Sequence, residues 1–254
     1  MDAQNYVLLA AGRGSRLSQL TTQTHKALLP IAGKPVLQYL LDHLMLLKKH
    51  DIVVVTGYRS DDINSFLNAR YGNAVKTVFN QFYESDTNIL SVDMGVDALL
   101  CHDAGYMIIE TDIILEPAGW QCLLGPRQSK LSEWATIGNY SANLTGAALK
   151  TDETGRVKDI VYAPKYDKQF DGWKKLLGTL YVGVNEVSLD IAMRKEAIQR
   201  SIAQFYLMPW IENINKLPCH ELDLSNYYAA SFNDVEAYKK ADEGYKRAVQ
   251  RERE

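Results

Sequence analysis

The stretch Leu9-Ala10-Ala11-Gly12-Arg13-Gly14-Ser15-Arg16 sets two glycines after an apolar run, then a hydroxyl and a cation. Glycines in that place let backbone N–H groups approach phosphate oxygens without a Cβ in the way. Arg16 and, further on, Lys26 would add positive charge, the arginine as a planar fork and the lysine as a point charge. Taken alone, Gly12-x-Gly14 also suits a tight turn flanked by solvated cations. Two common nucleotide motifs fail in detail. A dinucleotide fingerprint needs a third small residue where Leu17 stands, and a P-loop needs a Gly-Lys-Ser/Thr ending that is absent here.

A loop of this kind needs a strand before it and helices around it. Tyr6–Ala10 reads as a buried parallel strand feeding the turn. Pro35–Lys49 has helical apolar spacing, a proline in its first turn and lysines in its last. Strands follow at Asp51–Gly57, Lys76–Asn80 and Gly105–Asp112, with helices at Ser60–Tyr71 and about Thr87–Leu100 between them. Such alternation predicts an α/β fold, a doubly wound, mainly parallel Rossmann-like sheet with ligands at the strands' carboxyl ends. The second half reads as β-rich, with segments at Trp134–Tyr140, Gly146–Lys150, Val157–Tyr162 and Leu180–Val184 and a hairpin turn over Lys150–Arg156. Ala192–Asn215 has a helical pattern interrupted near Pro209, and Ser231–Asp234 reads as the cap of a last helix reaching about Val249.

Leu9-Ala10-Ala11-Gly12-x-Gly14-Ser15-Arg16, followed by Lys26-x-x-Leu29-Pro30-x-x-Gly33-Lys34-Pro35, resembles the N-terminal signature of the nucleotidyltransferases that make NDP-sugars and CDP-alcohols. The resemblance implies that Leu9, Ala10, Ala11, Gly12, Arg13, Gly14 and Ser15 wrap a triphosphate. It implies catalytic roles for Arg16 and Lys26 and a fold of the nucleotidyltransferase type. It also places a metal aspartate at the end of a central strand, where Glu110-Thr111-Asp112 stands. Asp112 suits Mg²⁺, the implied cofactor, and Glu110 is given a supporting role. Such proteins usually carry a second metal aspartate before the last helix, but here Ala230 stands at that position. The second ligand is left between Asp234 and Asp223. The chemistry asks little of acid–base groups, because an anionic acceptor can attack the α-phosphorus directly while the protein supplies alignment and charge.

The region Asn80 to Ser91 is closer to the phosphocholine cytidylyltransferase branch and its phosphonate relatives than to sugar-1-phosphate enzymes, and His25 before Lys26 points the same way. This favours CTP, with Asn80, Thr87, Asn88 and Ser91 near the base or ribose, although a helix cap at Asp86 or Thr87 also fits. The acceptor would be a small phosphorylated alcohol or phosphonate. Trp134, Trp173, Tyr181, Tyr206 and Trp210 fall in the half where the resemblance puts the acceptor site. Rings around a quaternary ammonium contribute about 0.5–2 kcal/mol each, although most such rings are simply core. Lys165, Lys168, Lys174 and Lys175 are candidates to grip the acceptor phosphate, or else form a solvated loop.

The 254 residues, 46% hydrophobic, suffice for one domain, with residues 1–120 as the nucleotide-binding half and 121–254 as the acceptor half. A net charge of −3 and a pI near 6.0 give no global field for nucleic acid or anionic membranes. No apolar run is long enough to span a bilayer, Met1–Ala11 lacks the marks of a signal peptide, and three scattered cysteines suit a reducing compartment, so a cytoplasmic protein is expected. A homo-oligomer is left open. Three other readings stay open: a sugar-1-phosphate nucleotidyltransferase, a weakly catalytic nucleotide-binding homologue suggested by Ala230, and a Rossmann-type oxidoreductase, disfavoured by the absent third glycine.

Overall fold

The first apolar run becomes the middle of a sheet in a computed structural model, which describes residues 4–17, 20–47, 50–127 and 130–251. Along the chain, strand β1 (Gln4–Ala10) leads into the glycine loop, the short helix α1 (Leu20–Gln23) and a hairpin of β2 (Pro30–Ile31) and β3 (Lys34–Pro35). Helix α2 (Val36–Met45), β4 (His50–Thr56), α3 (Ser60–Tyr71), β5 (Lys76–Phe79), α4 (Ile89–Asp97) and β6 (Tyr106–Glu110) then alternate. The order across this part is β6-β1-β4-β5, all parallel. Both faces of β1 are covered, which is why Tyr6 to Ala10 form an unbroken apolar run. Tyr6 and Leu8 pack with Leu37, Leu40, Leu41 and Leu44 of α2 on one face, while Val7 packs with Val92 and Val96 of α4 on the other.

After β6 come β7 (Ile113–Leu115), α5 (Pro117–Leu124), β8 (Ser132–Asn139), β9 (Gly146–Thr151), β10 (Val157–Ala163) and β11 (Lys174–Val182). Helices α6 (Val187–Arg200) and α7 (Met208–Glu212), strands β12 (Cys219–Asp223) and β13 (Ala229–Ser231), and helix α8 (Val235–Arg251) complete the described chain. Strand β11 runs antiparallel to β6 and carries β9 and β8 on its other pairings, so the β-rich half extends the same sheet. The Asp152 turn closes β9 onto β10 as expected, with Asp152 Oδ1 accepting from the N–H groups of Thr154 and Arg156. Strand β13 pairs with β7, which brings the segment ahead of α8 back to the end of β6.

The sequence misjudged several boundaries. The helix expected over Ala192–Asn215 is two helices, beginning at Val187 and breaking over residues 201–207, and Pro209 lies in the first turn of α7 rather than interrupting a longer one. Proline is at ease there because the first-turn N–H would go unbonded anyway. Strand β11 starts at Lys174, six residues before the expected Leu180. Helix α2 ends at Met45; residues 48 and 49, expected within it, lie outside the described residues.

Candidate functional site

At the carboxyl ends of β1 and β6 a cavity of about 260 Å³ opens between the glycine loop and the N-terminus of α4. Leu9, Ala10, Ala11, Gly12, Gly14, Ser15 and Arg16 form one wall. Gly14 has φ +62°, and a Cβ there would lie 3.3 Å from both Lys26 Cβ and Thr21 Cγ2, so glycine is needed for conformation and for space. Its carbonyl accepts from Leu17 N–H at 2.9 Å and from the Thr21 hydroxyl at 3.2 Å, which pins the turn. Arg13 departs from the expectation. Its guanidinium lies 5.6 Å from the Tyr58 ring centroid on an exposed surface, outside the cavity lining.

Lys26 opens a single 3-10 turn capped by His25, whose Nδ1 accepts from Ala27 N–H at 3.0 Å. That bond assigns the imidazole proton to Nε2. Burial pushes the His25 pKa down to about 4, so the ring is neutral at physiological pH. The Lys26 ammonium reaches across the cavity to Asp112 Oδ2 at 2.5 Å and Asn233 Oδ1 at 2.9 Å. Asp112 follows β6 directly, where the Thr111 hydroxyl donates to Leu9 O at 2.7 Å and ties the two strand ends together. Phe232 N–H donates to Asp112 O at 3.2 Å and so sets Asn233 beside it.

Asp112 Oδ1 is buried with no hydrogen-bond partner. Glu110, also on the wall, has its pKa pushed up to about 8, first by burial and then by the neighbouring Asp112 charge, with Lys26 and Lys175 opposing. Its carboxylate lies against Gly178, φ +77°, where a Cβ would sit 2.7 Å from Glu110 Oε2. Among the expected second metal ligands, neither Asp234 nor Asp223 is at the cavity. Asp234 Oδ1 caps α8 by accepting from Ala237 N–H, and Asp223 accepts from Ser225 N–H at the exposed end of β12. No cluster of three or more His, Cys, Asp or Glu with metal-binding geometry occurs among the described residues.

Tyr83, Asp86, Thr87, Asn88 and Ser91 make the opposite wall. Asp86 organises it, accepting from the N–H groups of Leu90 and Ser91, from the Ser91 hydroxyl and from Asn80 Nδ2. Asn80 is fully buried behind this wall, with Nδ2 bonded to Asp86 and Ser91 and Oδ1 accepting from Phe82 N–H. Its side chain is spent on holding the wall, which corrects the expectation that it touches a ligand. Thr87 and Asn88 do face the cavity.

The aromatic expectation needs correction at two positions. Trp134 and Trp210 are 1% and 0% exposed, packed edge to face at 5.8 Å. Trp210 Nε1 donates to Asp190 Oδ1 at 2.7 Å, and Trp134 stacks on Tyr206. These rings fill the core under α6 and α7. Trp173 packs on Phe170 at 5.1 Å, and Tyr181 lies beneath the Arg127 guanidinium; neither lines the cavity. Of the four lysines, Lys165 and Lys168 are exposed. Lys175 turns inward, donating to Ala147 O and Leu176 O, and burial lowers its pKa against the opposing pull of Glu110 and Asp112.

Residues 6–130 match the MobA-like NTP transferase domain. The CMP-5′-(3-aminopropyl)phosphonate synthase of Streptomyces rubellomurinus is 28% identical over 167 residues, which is 65% of this chain and 26% of the relative. The choline-phosphate cytidylyltransferase of Haemophilus influenzae is 30% identical over 143 residues, 55% of this chain and 60% of the relative. The match thus spans between about a quarter and three fifths of the length of these curated relatives. In three dimensions, the solved CTP:phosphocholine cytidylyltransferase of Streptococcus pneumoniae superimposes with a TM-score of 0.81 at 22% identity, covering 95% of this chain and 98% of that one. At that identity the likeness is one of fold.

Proposed function

We propose, from the match of residues 6–130 to the MobA-like NTP transferase domain, that the protein moves CMP from CTP onto a small phosphorylated alcohol or an alkylphosphonate. The observation that carries the reading is the convergence of the glycine loop, Arg16, Lys26 and Asp112 on one cavity. The choice of CTP rests on the relatives, one a choline-phosphate cytidylyltransferase and one a CMP-5′-(3-aminopropyl)phosphonate synthase.

An acceptor phosphate or phosphonate oxygen forms the new bond to the α-phosphorus as the bond to the β-phosphate oxygen breaks, and pyrophosphate leaves with that electron pair. The acceptor is already anionic, so no general base is required. Backbone N–H groups of Gly12, Gly14 and Ser15 cradle the triphosphate, and Arg16 and Lys26 meet the charge that builds on the leaving group. His25, neutral and capping the Lys26 turn, holds that lysine in place. Thr87 and Asn88 face the nucleoside, and Lys175, whose charge acts on Glu110 and Asp112, is the lysine of the second half assigned to the acceptor's anionic group.

The donor set fits Mg²⁺. Asp112 Oδ1 is a buried oxygen without a partner, and Mg²⁺ takes one or two carboxylates while keeping waters and phosphate oxygens. Asp112 and Asn233 would hold it, and once bound it would neutralise triphosphate charge during transfer.

The reading is tested by ³¹P NMR of mixtures containing Mg²⁺, one of CTP, UTP, GTP, ATP or dTTP, and phosphocholine, 2-aminoethylphosphonate, glycerol phosphate or a hexose 1-phosphate. A CDP-linked product from CTP and a phospho-alcohol or phosphonate is expected. Product only from a hexose 1-phosphate would replace the acceptor class and keep the chemistry.

A further inference from the structure

We propose that His25 is a positioning residue for the glycine loop: when a triphosphate enters, its Nε2–H takes hold of the Gly12 carbonyl and turns the next N–H, that of Arg13, onto the phosphates. The inference rests on the nucleotide-binding reading above and gives His25 a second task beside capping the Lys26 turn.

The two ring nitrogens are unequal. His25 is 1% exposed and lines the cavity. Nδ1 accepts from Ala27 N–H, which leaves the proton on Nε2. That Nε2 is buried with no hydrogen-bond partner. An unpaired buried donor is costly, so it takes an acceptor as soon as one comes within reach. The acceptor at hand is the Gly12 carbonyl, whose pull on the ring opposes the effect of burial without completing a bond.

The loop is tied on either side of Gly12. Ala11 O accepts from Tyr58 N–H at 3.0 Å, and Gly14 O accepts from Leu17 N–H and the Thr21 hydroxyl. Gly12 itself is exposed, has no positive φ, and a Cβ there would meet nothing within 4 Å. Neither conformation nor crowding calls for glycine at this position in the ligand-free chain. A peptide that turns beneath an approaching phosphate does.

A trans peptide holds its C=O and N–H on opposite sides. A Gly12 carbonyl drawn onto His25 therefore sends the Arg13 N–H the other way, toward the side from which the phosphates come. There it makes a charge-assisted bond, which an empty cavity does not offer. Arg13 thus serves through its backbone while its side chain lies on Tyr58.

Substitution separates the two nitrogens. His25→Asn keeps an acceptor near the Nδ1 position and lacks the Nε2 donor, whereas His25→Gln reaches the Nε2 position with an amide donor and lacks the cap. His25→Asn is expected to raise nucleotide Kd about tenfold with kcat within about threefold of wild type. His25→Gln is expected to show the reverse, a Kd near wild type and a kcat lowered about tenfold or more as Lys26 is loosened. The wild type gives a direct reading through ¹H–¹⁵N spectra of the imidazoles, in which the His25 signal is identified among the five histidines by its loss in either variant. Addition of Mg²⁺ and CTP is expected to move the Nε2–H downfield and to slow its exchange with water. An Nε2–H unchanged when nucleotide binds overturns the proposal, as does a folded His25→Asn with wild-type Kd. Binding of none among CTP, UTP, GTP, ATP and dTTP overturns both the proposal and the reading beneath it. The same response to a nucleotide other than CTP keeps the proposal and removes the CTP assignment.

Discussion

The Asn88 side-chain oxygen accepts from Tyr206 N–H at 2.8 Å, joining the cavity wall at the start of α4 to the chain segment between α6 and α7. Beside it, Thr87 N–H donates to Ile202 O at 3.1 Å, so this cavity wall is held by residues more than a hundred positions later. With its oxygen committed, Asn88 has only its amide N–H groups left for a ligand. Asn88→Ala removes both functions. It is expected to raise KM for the nucleotide severalfold and to lower Tm, since an unsatisfied buried N–H costs about 1–3 kcal/mol and each such unit shifts a domain of this size by about 2–4 °C. Nucleotide KM and a thermal melt check it; an altered acceptor KM with unchanged nucleotide KM would contradict it.

Lys26 and Arg16 differ in what surrounds them. Lys26 is partly buried against Asp112, whereas Arg16 is exposed at the cavity rim. A fixed cation aimed at developing charge in a water-poor site is worth about 10²–10³ in kcat. Lys26→Met is therefore expected to lose at least that much in kcat, and Arg16→Ala less, since its site is better solvated. Steady-state kinetics at saturating substrates decides it.

Glu110 and His25 give stability opposite slopes with pH. The folded protein keeps the Glu110 proton up to about pH 8, while the unfolded chain loses it near the ordinary value of 4.5. Between those values the folded state binds more protons, so this group makes stability fall as pH rises. Glu110→Gln is expected to raise Tm over wild type by more at about pH 8 than at about pH 5. His25 works the other way: its folded pKa of about 4 lies below the ordinary 6.5, so stability rises with pH across that interval. His25→Asn flattens that rise. Melts of the ligand-free protein across pH read both effects.

Lys175 is the test of the acceptor side. Its ammonium donates to two carbonyls and opposes the Glu110 and Asp112 charges from within the second half of the sheet. Lys175→Gln is expected to raise acceptor KM about tenfold or more while nucleotide KM stays within about twofold.

Trp210 is expected to behave as core. Trp210→Phe removes the Nε1–Asp190 bond inside the network that Asp190 forms with Arg194 and Tyr106, at a cost of about 1–3 kcal/mol, with acceptor KM unchanged. A rise in acceptor KM with no loss of Tm would return this tryptophan to the acceptor site.

The parallel half of the fold was legible because β1, β4 and β6 are buried on both faces and α2 carries a 3.6-residue apolar stripe. Both signals are local. Gly12, Gly14, Arg16, Lys26 and Asp112 stood out through the composite signature that resembles the nucleotidyltransferases; taken alone, the two glycines and their cations also suit a tight turn. Asn233 was hidden, since its place beside Asp112 depends on β13 pairing with β7, a contact across more than a hundred residues. Asp86 was weighed only as a helix cap; that it also fixes Asn80 and Ser91 is visible only when strand end and helix start come together. The aromatic residues misled for a general reason. A tryptophan's type says that it is large and has one N–H, and Trp210 satisfies both inside the core.

If Lys26 and Asp112 meet on a triphosphate whose CMP group is transferred, removing the aspartate's charge slows the transfer itself. The most direct measurement is single-turnover pyrophosphate release from CTP with a phospho-alcohol or phosphonate acceptor and Mg²⁺, comparing wild type with Asp112→Asn. One pyrophosphate per CDP-linked product is expected in the wild type, and a loss of about 10²-fold or more in the variant. Equal rates in the two proteins, or nucleotide binding without pyrophosphate from any acceptor, would contradict it.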